Sequence, residues 1–243
     1  MAILADFHNH SCLSPCASLE QSPRILAEQA ASRGIALMAL TDHNSALNCP
    51  AFSEACALYN IVPVFGMELN TLEEVHVLCL FESLEAVLDF SAHVYEHLPA
   101  FPNDPVKLGD QVYVNIDDEI EGEVENYLGV ATDIGIDSVA KHAEYYGGFC
   151  IPAHVDRAAF SMSSQLGFIV DGPWAALECL TIPSSIDTHS YPLITSSDAH
   201  YPEDIGRRAF SLDLDIDELQ YAGPGSSLNI KMLYSALQKR PRG

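Results

Sequence analysis

The sequence predicts an α/β fold in which parallel strands close, or nearly close, into a barrel. Three observations lead there. Short apolar runs alternate with stretches of helical spacing, the β-α-β-α-β order of repeated βα units. The chain has 243 residues, a common length for an α/β barrel that forms one domain, here residues 1–243. Acids and histidines stand at the carboxyl ends of several apolar runs, where such barrels gather their reactive groups.

Ala2 to Phe7 reads as the first strand; it lacks the basic start of a signal peptide. Ser22 and Pro23 make an N-cap and first-turn pair, Ile25, Leu26 and Ala30 form one face, and Gly34 is a stop. Ile35 to Thr41 is the second strand, Pro50 opens a helix over Ala51 to Tyr59, and Ile61 to Met67 is the third strand. Val75 to Phe81 reads as a strand and Leu84 to Leu98 as a helix. Residues 99–135 are irregular, with Pro99, Pro102, Pro105, Gly109 and an acidic run from Asp117 to Glu125. The expectation there is a solvated insertion, with a lid or dimer arm over the site as the functional alternative. Ser138 to Tyr146 is a helix stopped by Gly147-Gly148, and Phe149 to Ala153 is a strand. Ala176 to Thr181, Leu193 to Ser197 and Ala209 to Leu212 complete the strands, and Ser227 to Gln238 is a closing helix.

The composition, 48% hydrophobic and 19% charged, is that of a globular protein, and no apolar stretch reaches the length of a membrane span. Seven cysteines without regular short spacing argue against a disulfide scaffold and for a reducing compartment, so the cytoplasm is the expected location. The formal charge of −23, from 34 acids and 11 bases, repels polyanions. Long nucleic acid is therefore not expected as a partner, whereas a small phosphate is compatible, because bound cations neutralise charge locally. Oligomeric state is not legible.

Six of the ten histidines interleave with acids in the order His8-x-His10, Asp42-His43, Glu68, His76, His154, Asp198-x-His200. Imidazole nitrogen and carboxylate oxygen together suit zinc, manganese and iron, and a carboxylate can bridge two ions. Alternation along an extended chain puts His8 and His10 on one side, and Asp198 and His200 likewise. His76 stands at the start of its strand, so a hairpin-like return after Glu68 is needed to bring it to the others.

The segments Asp6-Phe-His-Asn-His-Ser, Leu40-Thr-Asp-His-Asn, Gly66-Met-Glu, His76, Pro152-Ala-His and Ser197-Asp-Ala-His resemble the polymerase and histidinol phosphatase (PHP) family of metal-dependent phosphoesterases. The resemblance implies a distorted (β/α)7 barrel with two or three divalent metal ions at the C-terminal ends of the strands. It implies that His8, His10, Glu68 and Asp198 hold one ion, and that Glu68 bridges to a second held with His76 and His154. A third would take His43, His200 and a ligand soon after the His-x-His. There this chain departs, reading Ser14-Pro15-Cys16; Cys16 is the nearest substitute, and a packed cysteine is the alternative. Asp42 either binds metal or orients a ligand from behind.

Two ions about 3.5–4 Å apart lower the pKa of a bridging water, and the resulting hydroxide attacks phosphorus. The expected function is hydrolysis of a small phosphorylated metabolite, whether sugar, nucleotide or amino-alcohol phosphate, with Asp198, His43 and Arg157 in the catalytic group. Arg157, Arg207 and Arg208 are the candidate phosphate clamps, the resemblance favouring Arg157 and Arg207. Their alternative is pairing with Asp156, Glu203 or Asp204. His189 is a candidate substrate contact. His93, His97 and His142 read as solvated or packed, and Trp174, Phe160 and Phe168 as packing. Two other readings stand beside the first: hydrolysis of a C–N or carboxyl-ester bond, and a non-catalytic metal-containing module.

Overall fold

The computed structural model describes residues 2–242. Strands β1 (Ala2–Asp6), β2 (Leu37–Leu40) and β3 (Val62–Asn70) pair in parallel, connected by helices α1 (Pro23–Ser32) and α2 (Cys49–Tyr59). Ser22 caps α1 by accepting the Ile25 N–H at 3.3 Å, as the Ser-Pro pair predicts. β3 then folds back into β4 (His76–Phe81), antiparallel, with Asn70 opposite His76. This is the hairpin that His76 requires.

Helix α3 (Leu84–Glu96), the short α4 (Pro105–Leu108), strands β5 (Val112–Val114) and β6 (Ile120–Glu123) and helix α5 (Val139–Tyr145) precede β7 (Phe149–Pro152), which lies antiparallel beside β4. Then come α6 (Met162–Gln165), β8 (Leu177–Glu178), β9 (Leu193–Ile194), β10 (Phe210–Asp213) and α7 (Ile230–Leu237). The main sheet has the order β10-β1-β2-β3-β4-β7.

The sheet curls. Ala175 N–H donates to the Cys150 carbonyl at 3.0 Å and Val155 N–H to that of Glu178 at 2.8 Å, so β8 follows β7 round the curl. β8 pairs in parallel with β9, and the chain beyond β9 returns to β1 through a parallel bridge between Asn9 and Ala199. The outcome is a curled, open, distorted α/β barrel with α1, α2, α3 and α5 on its convex side. Two expectations change. The last strand, β10, runs antiparallel against β1, and the runs 176–181 and 193–197 each yield only two strand residues, because polar loops take over where the site begins.

Two apolar clusters explain why the strands read as continuous hydrophobic runs, with both faces covered. Met38, Leu40, Phe65, Cys79 and Phe81 pack against Leu26, Phe52, Val87 and Phe90 of the helices. The alternate residues Leu37, Ala39, Val64, Leu78, Leu80 and Ile151 meet Ala5, Phe7, Ala176, Ile194 and α7 on the concave side. Glu68 keeps the pleat parity of Val64, His76 that of Leu78, and Glu178 that of Ala176. The alternation that fills the barrel with apolar groups thus delivers charged ones at its mouth.

The segment 99–135 is more ordered than a solvated insertion. β5 and β6 form a hairpin, and Val112, Val114, Val124 and Leu128 are buried. Asn48 stitches it to α2 by donating to the Val112 carbonyl and accepting the Val114 N–H at 2.9 Å. Asn44, at φ +48°, donates to the carbonyls of Leu128 and Val130. Gly109 adopts φ +101°, and a Cβ there would lie 2.0 Å from the Pro15 carbonyl oxygen, next to Cys16. Gly109→Ala is therefore expected to cost about 1–3 kcal/mol through backbone strain and overpacking; unchanged stability in chemical denaturation would refute this docking. Among the described residues no helix is long and apolar enough to cross a membrane.

Candidate metal centre

At the barrel mouth five imidazoles enclose one carboxylate. Glu68 Oε1 lies 3.1 Å from His8 Nε2, 2.8 Å from His76 Nδ1 and 3.2 Å from His154 Nε2. Its Oε2 lies 3.0 Å from His43 Nδ1 and 3.4 Å from His10 Nε2. Asp198 Oδ1 completes one side, 3.4 Å from both His8 Nε2 and His10 Nε2. All these residues except His43, His76 and Asp198 are essentially without solvent exposure, and those three are buried as well. His154 and Asp198 hold φ at +29° and +49°, a region costly for residues with a Cβ and common where function over-determines the backbone.

The donor set fits metal ions. Three groups bring their ligand atoms mutually within 4.8 Å: His8, His10 and Asp198; His43, Glu68 and His76; and His10, Cys16, His43 and His200. With metal–ligand bonds near 2.1 Å, the edges of a coordination polyhedron measure about 3.0–3.4 Å, the spacing found around Glu68. Hydrogen bonding alone leaves the cluster unsatisfied. His8 Nε2 and His10 Nε2 face each other at 3.2 Å, and His43 Nδ1 is buried beside Glu68 yet out of line for a hydrogen bond.

Electrostatics follow from the packing. Burial opposes ionisation of Glu68, but His76, His8 and His43 hold its carboxyl well below the usual range. Asp198 is likewise lowered against its burial, chiefly by His8 and His10. Burial pushes His10 down to about 4 and lowers His43 and His154, leaving neutral rings with lone pairs to offer. His8 is raised despite burial, by Glu178 and Glu68.

The PHP domain model matches residues 6–166, about two-thirds of the chain. The chain belongs to the PHP domain family. No curated protein matches it. Among solved structures it is similar to endonuclease Q from Pyrococcus furiosus, at a TM-score of 0.63 and 18% identity over 98% of this chain and 56% of that one. This chain thus spans just over half the length of endonuclease Q. It is also similar to a proposed metal-dependent phosphoesterase from Bifidobacterium adolescentis, at 0.55 and 17% over 96% and 95% of the two chains. An amidohydrolase from Chromobacterium violaceum matches at 0.52 and 17% over 87% and 92%. At these identities the likeness shows the fold alone.

One expectation is overturned here. The net negative charge argues against long nucleic acid as a partner, yet endonuclease Q has been solved with a 27-mer duplex substrate carrying an abasic lesion at its active site. Net charge averages the whole surface and does not decide what a local field on this fold can hold.

Cys16 stands with His10, His43 and His200; the residue as a whole is exposed, and its thiol is pushed up by desolvation where the sulfur meets the cluster and then by Glu68. Asp42 belongs to no donor group. Its carboxylate accepts the Ser11 N–H, the Ser11 hydroxyl and the Ser14 hydroxyl, each at 2.6 Å, and Ser14 Oγ lies 3.0 Å from His10 Nδ1. Asp42 therefore braces His10 from behind. Arg157 pairs with Asp198, not Asp156, at 3.0 Å and lines a cleft of about 190 Å³ with Cys16, His43, His76, Tyr127, Phe160 and His200. Phe160, read as packing from the sequence, stacks on His76 with ring centres 4.8 Å apart.

Three candidate substrate contacts are engaged elsewhere. Arg207 donates to the carbonyls of Ser197 and Asp198 at 2.7 and 3.1 Å and pairs with Asp204, so its guanidinium braces the Asp198 turn. Arg208 is tied to the carbonyls of Ser196 and Ser197. His189 pairs with Asp171 at 3.3 Å and is not among the cleft residues.

Glu178 is the residue that sequence reasoning missed. Buried at the end of β8, it lies 2.8 Å from His8 Nδ1, fixing the tautomer that presents Nε2 to the centre. A lone acid inside the apolar run 176–181 was its visible trace. Glu178→Gln is expected to weaken metal affinity or activity by about 10–100-fold; metal titration with unchanged affinity and rate would remove Glu178 from the site.

Proposed function

We propose that this chain is a metal-dependent phosphoesterase that hydrolyses a small phosphorylated metabolite in the cleft above Glu68. The observation that carries the reading is the meeting of a dense imidazole–carboxylate cluster with one arginine, Arg157, at its lip. His8, His10, Glu68 and Asp198 would hold one ion, Glu68, His76 and His154 a second, and Cys16, His43 and His200 a third. The contact distances also allow His43 to serve with Glu68 and His76. Bound divalent ions would supply an activated water and neutralise charge on the phosphoryl oxygens.

The chain's own groups do the rest. Arg157 uses one Nη on Asp198, leaving the other donors of its planar fork for a phosphate oxygen. Asp198 orients Arg157, and Arg207 holds the Asp198 backbone in its left-handed turn. His43 and His200 border the cleft, and Tyr127 with Phe160 forms aromatic walls that exclude water and take the organic part of the ester. A cleft of this size suits a phosphate and a short substituent.

The test is a screen of the metal-reconstituted protein against phosphorylated metabolites, an abasic duplex and amide or carboxyl esters. Release of inorganic phosphate from a small monoester, lost in Arg157→Ala, is the expected result. Strand cleavage of the duplex without such release, carboxylic product without phosphate, or no turnover on any class with all metals loaded would each displace the proposal.

A further inference from the structure

Phe160 is tied into the site in three ways. Its carbonyl accepts the His76 N–H at 3.1 Å, and its ring stacks on the His76 imidazole at an interplanar angle of 16°. The guanidinium carbon of Arg157 lies over that ring, 6.0 Å from its centre, within the range of a cation–π contact. The backbone carries a cost for this placement, because Phe160 sits at φ +55°, where a bulky side chain is an outlier. Such strain persists where the surroundings over-determine it. Here they do: the Arg157 N–H closes a turn on the His154 carbonyl at 2.9 Å, the Ser161 hydroxyl donates to the Arg157 carbonyl at 2.6 Å, and Ser161 caps α6.

We propose that Phe160 is a positioning residue for Arg157: anchored on His76, its ring holds the guanidinium at the cleft in the orientation that meets a phosphate. The role rests on the function proposed above. Arg157 makes one ion pair, to Asp198 Oδ2, while Oδ1 of the same carboxylate faces His8 and His10, where a bound ion would share its charge. That ion weakens the hold of Asp198 on the arginine. An aromatic face supplies a second hold, electrostatic in origin, and occupies none of the N–H donors that a phosphate needs. An aliphatic side chain would fill the same space without the ring's negative face. Glycine would suit the left-handed backbone better, so the ring itself accounts for the residue. Arg157 and Phe160 both line the cleft, and one short loop thus presents the cation together with its support.

The test is a double-mutant cycle on the metal-loaded protein, with metal per chain counted, inorganic phosphate binding measured by calorimetry and kcat/KM measured on a phosphate monoester. Phe160→Leu is expected to lower phosphate affinity and kcat/KM by about tenfold with metal content retained. Phe160→Tyr, which keeps the ring, is expected to match wild type. In an Arg157→Ala background the same Phe160→Leu change is expected to alter either quantity by less than about twofold, because the group it positions is gone. Equal losses in both backgrounds overturn the role, as does loss of metal in Phe160→Leu, which would assign the ring to His76 alone. Wild type that binds phosphate and turns over while Phe160→Leu is unchanged refutes this role and leaves the function standing. Wild type that does neither refutes the function and this role with it.

Discussion

Glu68→Gln is expected to lower turnover by more than about 10³-fold, the scale on which preorganised electrostatic groups act, and to empty the centre of metal. The substitution keeps shape and burial, so the fold control is built in. What changes is charge and donor pattern. Oε1 of Glu68 meets His8, His76 and His154, and Oε2 meets His43 and His10, all within 3.4 Å. An amide replaces one acceptor oxygen with an N–H donor and removes the only negative charge shared by both sides of the cluster. Metal analysis read beside the rate decides the matter. A Glu68→Gln protein that keeps full metal and full rate would refute the bridging role.

Arg157→Ala is expected to lower kcat/KM for the phosphorylated substrate by about 10²–10³-fold with metal content retained. Its partial exposure and its single bond to Asp198 make it a group at the edge of the centre, not a part of its core. Arg157→Lys is expected to recover only part of the loss, because an ammonium lacks the planar fork that meets two phosphate oxygens. Loss of metal in Arg157→Ala would reassign the residue to holding Asp198; an unchanged rate would remove it from substrate binding.

Much of the site was legible because its residues sit where local rules operate. Glu68 stood at the carboxyl end of its apolar run, where barrels gather reactive groups, and the need for His76 to reach it required the β3–β4 return that the structure shows. A single His-x-His or Asp-x-His pair is a weak signal; the agreement of several such segments made the metal cluster legible. What escaped depends on partners far away in the chain. Glu178 meets His8 across 170 residues of sequence, and no periodicity marks that contact. Arg207 looked like a phosphate ligand because cations were scarce, yet the backbone carbonyls of a strained turn claim it. Asp42 offered a carboxylate beside His43, but the Ser11 N–H and the Ser11 and Ser14 hydroxyls all donate to that carboxylate. The insertion read as solvated because its acids are exposed, while its few valines and leucines, which fix it beside Cys16, are sparse in sequence.

The most direct measurement is anomalous diffraction from crystals of the protein grown with its metals, with data collected on either side of the absorption edge. Metal peaks are expected on both sides of Glu68, one bounded by His8, His10 and Asp198 and the other by His76 and His154. At saturating metal, an empty map around Glu68, or ions bound only elsewhere on the chain, would contradict the account at its root.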